Sequence, residues 1–177
     1  MPPLSPGDGR YDAGSCSFTV ETDLLQLYFE DLTVGQVFRS DTRIVMDAQS
    51  IKDFAARYDP QPFHLDEEAA NDTIFRGLAA SGWHTAAVTM RMLVDGSLKV
   101  AGGLVGAGME ELRWPKPVRP GDELHVEAEV LGKRESRSRP RQGIVRVRNT
   151  TFNQDDEVVQ VSVSAMIVPR RNSGSKQ

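Results

Sequence analysis

Residues 82–94, GWHTAAVTMRMLV, constrain the fold more than any other stretch, because small and apolar side chains cover most of a helical circumference, interrupted only by His84, Thr85, Thr89 and Arg91. A helix apolar nearly all round cannot rest on a surface with one face in water, so the pattern predicts burial on several sides. The chain changes character after it. Residues 102–114, 123–133, 143–153 and 158–168 are strand-length runs, separated by the turn Arg119-Pro120-Gly121-Asp122, the charged stretch 134–142 and Gln154-Asp155-Asp156. Consecutive strands joined by short turns pair antiparallel. The expected architecture is therefore α+β, a curved antiparallel sheet wrapped around a central helix, and not an alternating α/β fold. Gly102, Gly103, Gly106 and Gly108 lie in the first of these runs without the strand-turn-helix setting of a phosphate loop, and predict bends or bulges.

Ahead of the central helix, residues 37–46 (VFRSDTRIVM) read as a strand and Asp47 as the N-cap of a helix over 48–58, where Ile51, Phe54, Ala55 and Tyr58 share a face. Pro60 stops that helix, and a short acidic helix is expected over 66–71. With 177 residues, 39% of them hydrophobic, the chain is sized for one core. The domain is expected over 27–169, between a Pro-, Gly- and Ser-rich disordered tail over 1–26 and a flexible polar tail over 170–177. A net charge of -4 gives no general attraction to nucleic acid or anionic membrane. The lone cysteine, Cys16, permits neither an internal disulfide nor a thiolate metal cluster, and His64, His84 and His125 have no ligand spacing, so no metal is expected. No apolar run approaches the ~20 residues of a membrane span, and the start lacks a basic end followed by an apolar stretch, which together point to a cytoplasmic protein.

The chemistry is concentrated in residues 58–70, YDPQPFHLDEEAA. Pro60 and Pro62 are expected to hold the chain extended and stiff, with Asp59 and His64 on either side. A carboxylate and an imidazole can share proton transfer near neutral pH. On composition alone, the plainer reading is that Asp59 starts a turn and His64 caps the next helix.

This segment resembles the signature of the MaoC-like (R)-specific enoyl-CoA hydratases and dehydratases, with Asp59, Pro62, Phe63, His64 and Ala69-Ala70 in matching places. The resemblance continues in YFEDLTVGQ from Tyr28, GLAASGWHTAA from Gly77 and WPKPVRPGDEL from Trp114, and so covers 28–168. It implies a hotdog fold, assembled as a homodimer or higher oligomer, acting on an acyl thioester. No cofactor is implied beyond the coenzyme A or acyl-carrier pantetheine that is part of the substrate. It implies that Asp59 and His64 hold the attacking water and shuttle its proton, and that the Gly82 N–H receives the thioester carbonyl. Early amides of a helix lack internal partners and sit at the positive end of its dipole, which suits that role; the alternative for Gly82 is a tight packing site. Gln61 stands where the family has Asn and Tyr58 where it usually has Gly, so the setting of Asp59 can differ here.

A hotdog thioesterase and a non-catalytic acyl-thioester-binding subunit remain alternatives to the hydratase. Thioesterases of this fold rely on an acidic residue on or near the central helix, and this helix offers only Asp95, at its far end. His84 reads as a packed imidazole, Trp83 and Trp114 as core or interface residues, and Arg134, Arg137, Arg139 and Arg141 as a solvated run, with coenzyme A phosphates as the alternative contact.

Overall fold

The structure, a computed structural model, describes residues 26–171, so all but residue 26 of the tail expected over 1–26, and residues 172–177 of the tail expected over 170–177, lie outside the described residues. Six strands form one antiparallel sheet: β1 (Val37–Arg39), β2 (Ile44–Val45), β3 (Val105–Arg113), β4 (Glu123–Glu135), β5 (Gln142–Phe152) and β6 (Val158–Pro169). Their order is β1-β4-β5-β6-β3, with β2 also on β4. Among the described residues β3 is therefore an open edge.

Strict alternation along β4 turns Leu124, Val126, Ala128 and Val130 inward, and Val145 and Val147 of β5 join them. Against this face lies α4 (Gly82–Asp95), burying Met92 and Leu93 in the same cluster. The sheet and its central helix are those of the expected hotdog fold. Helix α1 (Ala48–Tyr58) starts where the Asp47 carboxylate accepts the Ser50 N–H, at 2.9 Å, and inserts Ile51 and Ala55 into the interior.

Several elements depart from the sequence expectation for identifiable reasons. The strand over 37–46 is two short strands on β4, parted where the Ser40 hydroxyl, not a main-chain carbonyl, receives the Val126 N–H at 3.0 Å. The segment after Asp59 is not extended throughout, because Pro62 opens a one-turn helix, α2 (Pro62–Leu65). Proline is suited to a first helical position, where its missing N–H would have no partner. The acidic helix, α3 (Glu67–Asn71), begins after Asp66, which caps it by accepting the Ala69 N–H at 2.8 Å. Gly102 and Gly103 adopt φ of 75° and 91° before β3, and β3 slips register on β6 between Gly106 and Gly108 and between Met109 and Glu111, the bulges the glycines predicted. Arg170 and Arg171, expected in the tail, bond instead to Glu30 and Asp31.

The central helix differs most. His84, Thr85, Thr89, Met92 and Leu93 are buried, but Trp83, Ala87, Met90 and Val94 form an exposed stripe at helical spacing, so burial on several sides becomes burial on one. Met90 and Val94 remain half exposed, at 50% and 51%, as do Val105 and Met109 on β3. This apolar surface lies where the sheet ends, since among the described residues no strand lies beyond β3 to cover it.

Candidate active site

Asp59 leaves α1 as its C-cap: its N–H closes on the Ala55 carbonyl at 2.9 Å, and Pro60 turns the chain away. The carboxylate reaches the entry of α4, where the fully buried Ser81 donates its hydroxyl proton to Asp59 Oδ2 at 2.7 Å. Ser81 Oγ in turn accepts the Trp83 N–H at 3.2 Å, making Ser81 the N-cap of α4. The helix thereby directs the one hydroxyl proton of Ser81 at Asp59.

His64 sits in α2 and is 5% exposed. Its Nδ1 lies 2.7 Å from the Ala79 carbonyl oxygen, and because a carbonyl only accepts, Nδ1 carries the proton. In the neutral ring Nε2 is then a bare lone pair. It faces Asp59 Oδ2 at 3.4 Å, with the carboxylate 23% exposed. Carboxylate and neutral imidazole are both acceptors, so this gap suits a shared proton or a water bonded to both. Phe63 and Phe75 border the imidazole, with ring centroids at 4.5 and 6.1 Å, and the Phe63 carbonyl accepts the Ala79 N–H at 3.2 Å. Residues 63–64 and 79 are thus tied through both backbone and side chain.

The next residue after Ser81 is Gly82, the first of α4, and its N–H has no hydrogen-bond acceptor among the described residues. It is also a packing site: a Cβ there would stand 2.6 Å from Trp114 Cε2. Gly82, Ala80 and Thr85 border an open cleft of ≈ 430 Å³, whose other walls include Phe75, Trp114 and Val118. Asp59 and His64 do not themselves line this cleft; the carboxylate is linked to its Gly82 wall through Ser81, the residue before Gly82, and the imidazole is bordered by Phe75, another of its walls. A proton-transfer pair thus lies next to residues that border a cavity with a helix N-terminal amide, an arrangement suited to moving a proton near a polarised carbonyl.

The sequence model described as MaoC like domain matches residues 30–153. The chain belongs to this family. A crystal structure of the MaoC-like dehydratase from Rhodospirillum rubrum is 56% identical, with a TM-score of 0.79 over 82% of this chain and 98% of that one. The unliganded R-hydratase PhaJ1 from Pseudomonas aeruginosa is 27% identical, with a TM-score of 0.63 over 82% and 87% of the two chains. Among curated proteins, the uncharacterized protein YdeM of Bacillus subtilis is 33% identical over 139 residues, 78% of this chain and 96% of its own length. The mesaconyl-CoA hydratase of Cereibacter sphaeroides is 40% identical over 68 residues, which span 38% of this chain and 20% of that protein. Apart from YdeM, these relatives are described as hydratases or dehydratases.

Within this MaoC-like frame, the substituted positions stand clear of the pair. The side chains of Gln61 and Tyr58 are exposed, Tyr58 at 68%, and Gln61 closes the turn through its backbone N–H on the Asp59 carbonyl at 2.7 Å. Orientation of the carboxylate comes from Ser81, which the sequence reading did not single out. A serine directly before a helical run carries a visible N-cap signal, but nothing local shows that it reaches Asp59, a partner 22 residues away.

The remaining residues play other parts. His84 is packed, stacked on Phe54 at 4.6 Å, with Nδ1 lacking a partner; burial pushes its pKa down against the weaker opposing pull of Asp47. His125 stacks on Phe152 at 5.2 Å, its Nε2 3.7 Å from Asp156. Trp83 and Trp114 meet edge to face at 5.6 Å, and Trp83 is 61% exposed. The arginines at 134, 137, 139 and 141 are exposed at the β4–β5 hairpin, about 30 Å of strand from Thr151 at the end that meets Trp114 and Gly82. Within one chain they do not reach the cleft. Among the described residues no three His, Cys, Asp or Glu side chains converge as metal ligands, and no helix is long and apolar enough to cross a membrane.

Proposed function

We propose that the protein is a hydro-lyase that adds water to a trans-2-enoyl thioester, or in reverse dehydrates an (R)-3-hydroxyacyl thioester. The observation that carries this reading is the opposed pair, His64 Nε2 facing Asp59 Oδ2 at 3.4 Å while Nδ1 is committed to the Ala79 carbonyl. A water held by both acceptors has its own oxygen lone pairs free to attack C3. As the carbon–oxygen bond forms, the pair takes a proton from that water and delivers one to C2, returning to its starting state. The Gly82 N–H bonds the thioester oxygen, where negative charge grows in the enolate-like transition state. The pantetheine of coenzyme A or of an acyl carrier protein belongs to the substrate, and no further cofactor takes part.

The thioesterase reading is disfavoured because Asp95 is bound to Arg91 at 2.6 Å, at the end of α4 away from Gly82. We also assign the apolar stripe of α4 and the edge of β3 to a second copy of the chain, since large exposed apolar patches mark interfaces and β3 has an unpaired edge to offer.

The test is loss of enoyl absorbance with crotonyl, octenoyl and branched enoyl thioesters. Asp59→Asn and His64→Ala should each lower turnover on the best substrate by on the order of 10²–10⁴-fold, the usual contribution of positioned proton transfer. The double variant should be little worse than the poorer single one, because the two residues act as a unit. Near-normal turnover in either single variant would remove the assigned roles. A wild-type protein that hydrates none of these substrates would give precedence to the acyl-binding alternative.

A further inference from the structure

The loop over 72–81, between α3 and α4, carries the Ala79 carbonyl that sets the His64 tautomer and the Ser81 hydroxyl that holds Asp59, and it ends at the Gly82 N–H. Its own main-chain bonds include a turn from the Arg76 N–H to the Thr73 carbonyl at 3.1 Å. Thr73 and Gly77 turn back to the Ala70 carbonyl at 3.2 and 3.1 Å, Ala79 bonds to Phe63, and Ala80 to Val118 at 2.9 Å. Between these ties, the carbonyls of Phe75, Gly77 and Leu78 receive no backbone N–H among the described residues, although Leu78 is only 5% exposed.

One side chain answers all three. Arg119, in the turn between β3 and β4, donates from Nη1 to Gly77 O at 2.7 Å and Leu78 O at 3.1 Å, and from Nη2 to Phe75 O. The loop bends around the guanidinium through left-handed φ values of 52° at Arg76 and 140° at Gly77. Arg119 is itself anchored, because its N–H bonds Asp122 Oδ2 at 2.7 Å and the Asp122 N–H bonds its carbonyl at 3.1 Å. A planar fork of donors can hold separate carbonyls at once, whereas an ammonium is a single point.

We propose that Arg119 is a positioning residue for the Asp59–His64 pair: its guanidinium holds the Phe75–Leu78 carbonyls so that Ala79 and Ser81 aim the imidazole and the carboxylate. The catalytic part of this proposal rests on the hydratase reading; the control of imidazole orientation does not. A residue that only stabilised the domain would change its melting temperature while leaving His64 unchanged in the molecules that are folded. A positioning residue changes the site within folded molecules.

The experiment uses the full chain carrying Arg119→Lys or Arg119→Met, with ¹⁵N-labelled histidine, at temperatures where circular dichroism reports the folded state. The chain's three histidines make the imidazole spectrum assignable by comparison with His64→Ala. Wild type should show His64 protonated at Nδ1; both variants should show a mixture of tautomers. On the best enoyl thioester, kcat should fall by about 10–100-fold, as an ångström-scale misplacement does, with KM moved less than about threefold. Folded variants that keep the wild-type tautomer and kcat would overturn the proposal, whatever happens to their melting temperature. So would failure of both variants to fold, which would make Arg119 a scaffold residue. If wild type hydrates no enoyl thioester but the tautomer still responds to Arg119, positioning of the imidazole stands and the hydratase reading falls. If the tautomer does not respond either, both fall.

Discussion

Gly82→Ala separates the two roles of this glycine, because alanine keeps the backbone N–H and alters only the space beside it. The new Cβ would stand 2.6, 2.7 and 2.9 Å from Cε2, Cδ2 and Cζ2 of Trp114. These atoms belong to the rigid indole, so no flexible side-chain end can swing aside; the whole ring must move. Movement breaks the bond from Trp114 Nε1–H to Gln160 Oε1, now 2.9 Å, in a glutamine only 2% exposed. Overpacking costs ~1–3 kcal/mol and an unpaired buried acceptor ~1–3 kcal/mol more, while replacing glycine in a helix returns up to ~1 kcal/mol. A net loss centred on about 3 kcal/mol, and no less than about 1 kcal/mol, is expected for such a packing and hydrogen-bond defect. Urea denaturation at fixed protein concentration measures it through tryptophan fluorescence, since the chain has only Trp83 and Trp114. Trp114→Leu removes the obstruction, so Gly82→Ala in that background should be milder by at least about 1 kcal/mol, a coupling a double-mutant cycle resolves. A Gly82→Ala cost below about 0.5 kcal/mol, or strict additivity with Trp114→Leu, would refute the packing account.

Two further outcomes follow from the rest of the structure. Burial holds the His84 pKa below its ordinary value of 6.5, so the unfolded chain binds the proton more readily and stability falls as pH drops below that value toward the folded one. His84→Phe should therefore lose less of its urea midpoint than wild type between about pH 7.5 and pH 5.5; an equal or greater loss would contradict this origin of acid sensitivity. Met90→Asp places a carboxylate in the exposed stripe of α4, and if a second copy covers that stripe, sedimentation should shift from dimer to monomer at micromolar concentration with the circular dichroism spectrum unchanged. A wild-type protein that already sediments as a monomer would remove the interface assignment.

Elements set by short-range chemistry were legible in the sequence. Asp47 as a cap and Pro60 as a stop bound α1 at Ala48–Tyr58, as expected, and the four strand runs after the central helix lie within three residues of their observed ends. The one-turn helix at Pro62–Leu65 was missed because the same proline that stiffens an extended chain also suits a first helical turn. The identity of Asp59 and His64 as a pair came from the ordered motif, not from composition, which favoured a turn and a cap.

The sequence by itself determined the central helix, the antiparallel strands after it and the residue types of the candidate pair, because periodicity, caps and turns act over a few residues. Tertiary structure decided which way those groups point. Ser81 meets Asp59 across 22 positions, Ala79 meets His64 across 15, and Arg119 meets Leu78 across 41. It also decided that, among the described residues, one face of α4 stays uncovered, since an apolar pattern records that a face avoids water but not whether the sheet extends far enough to cover it.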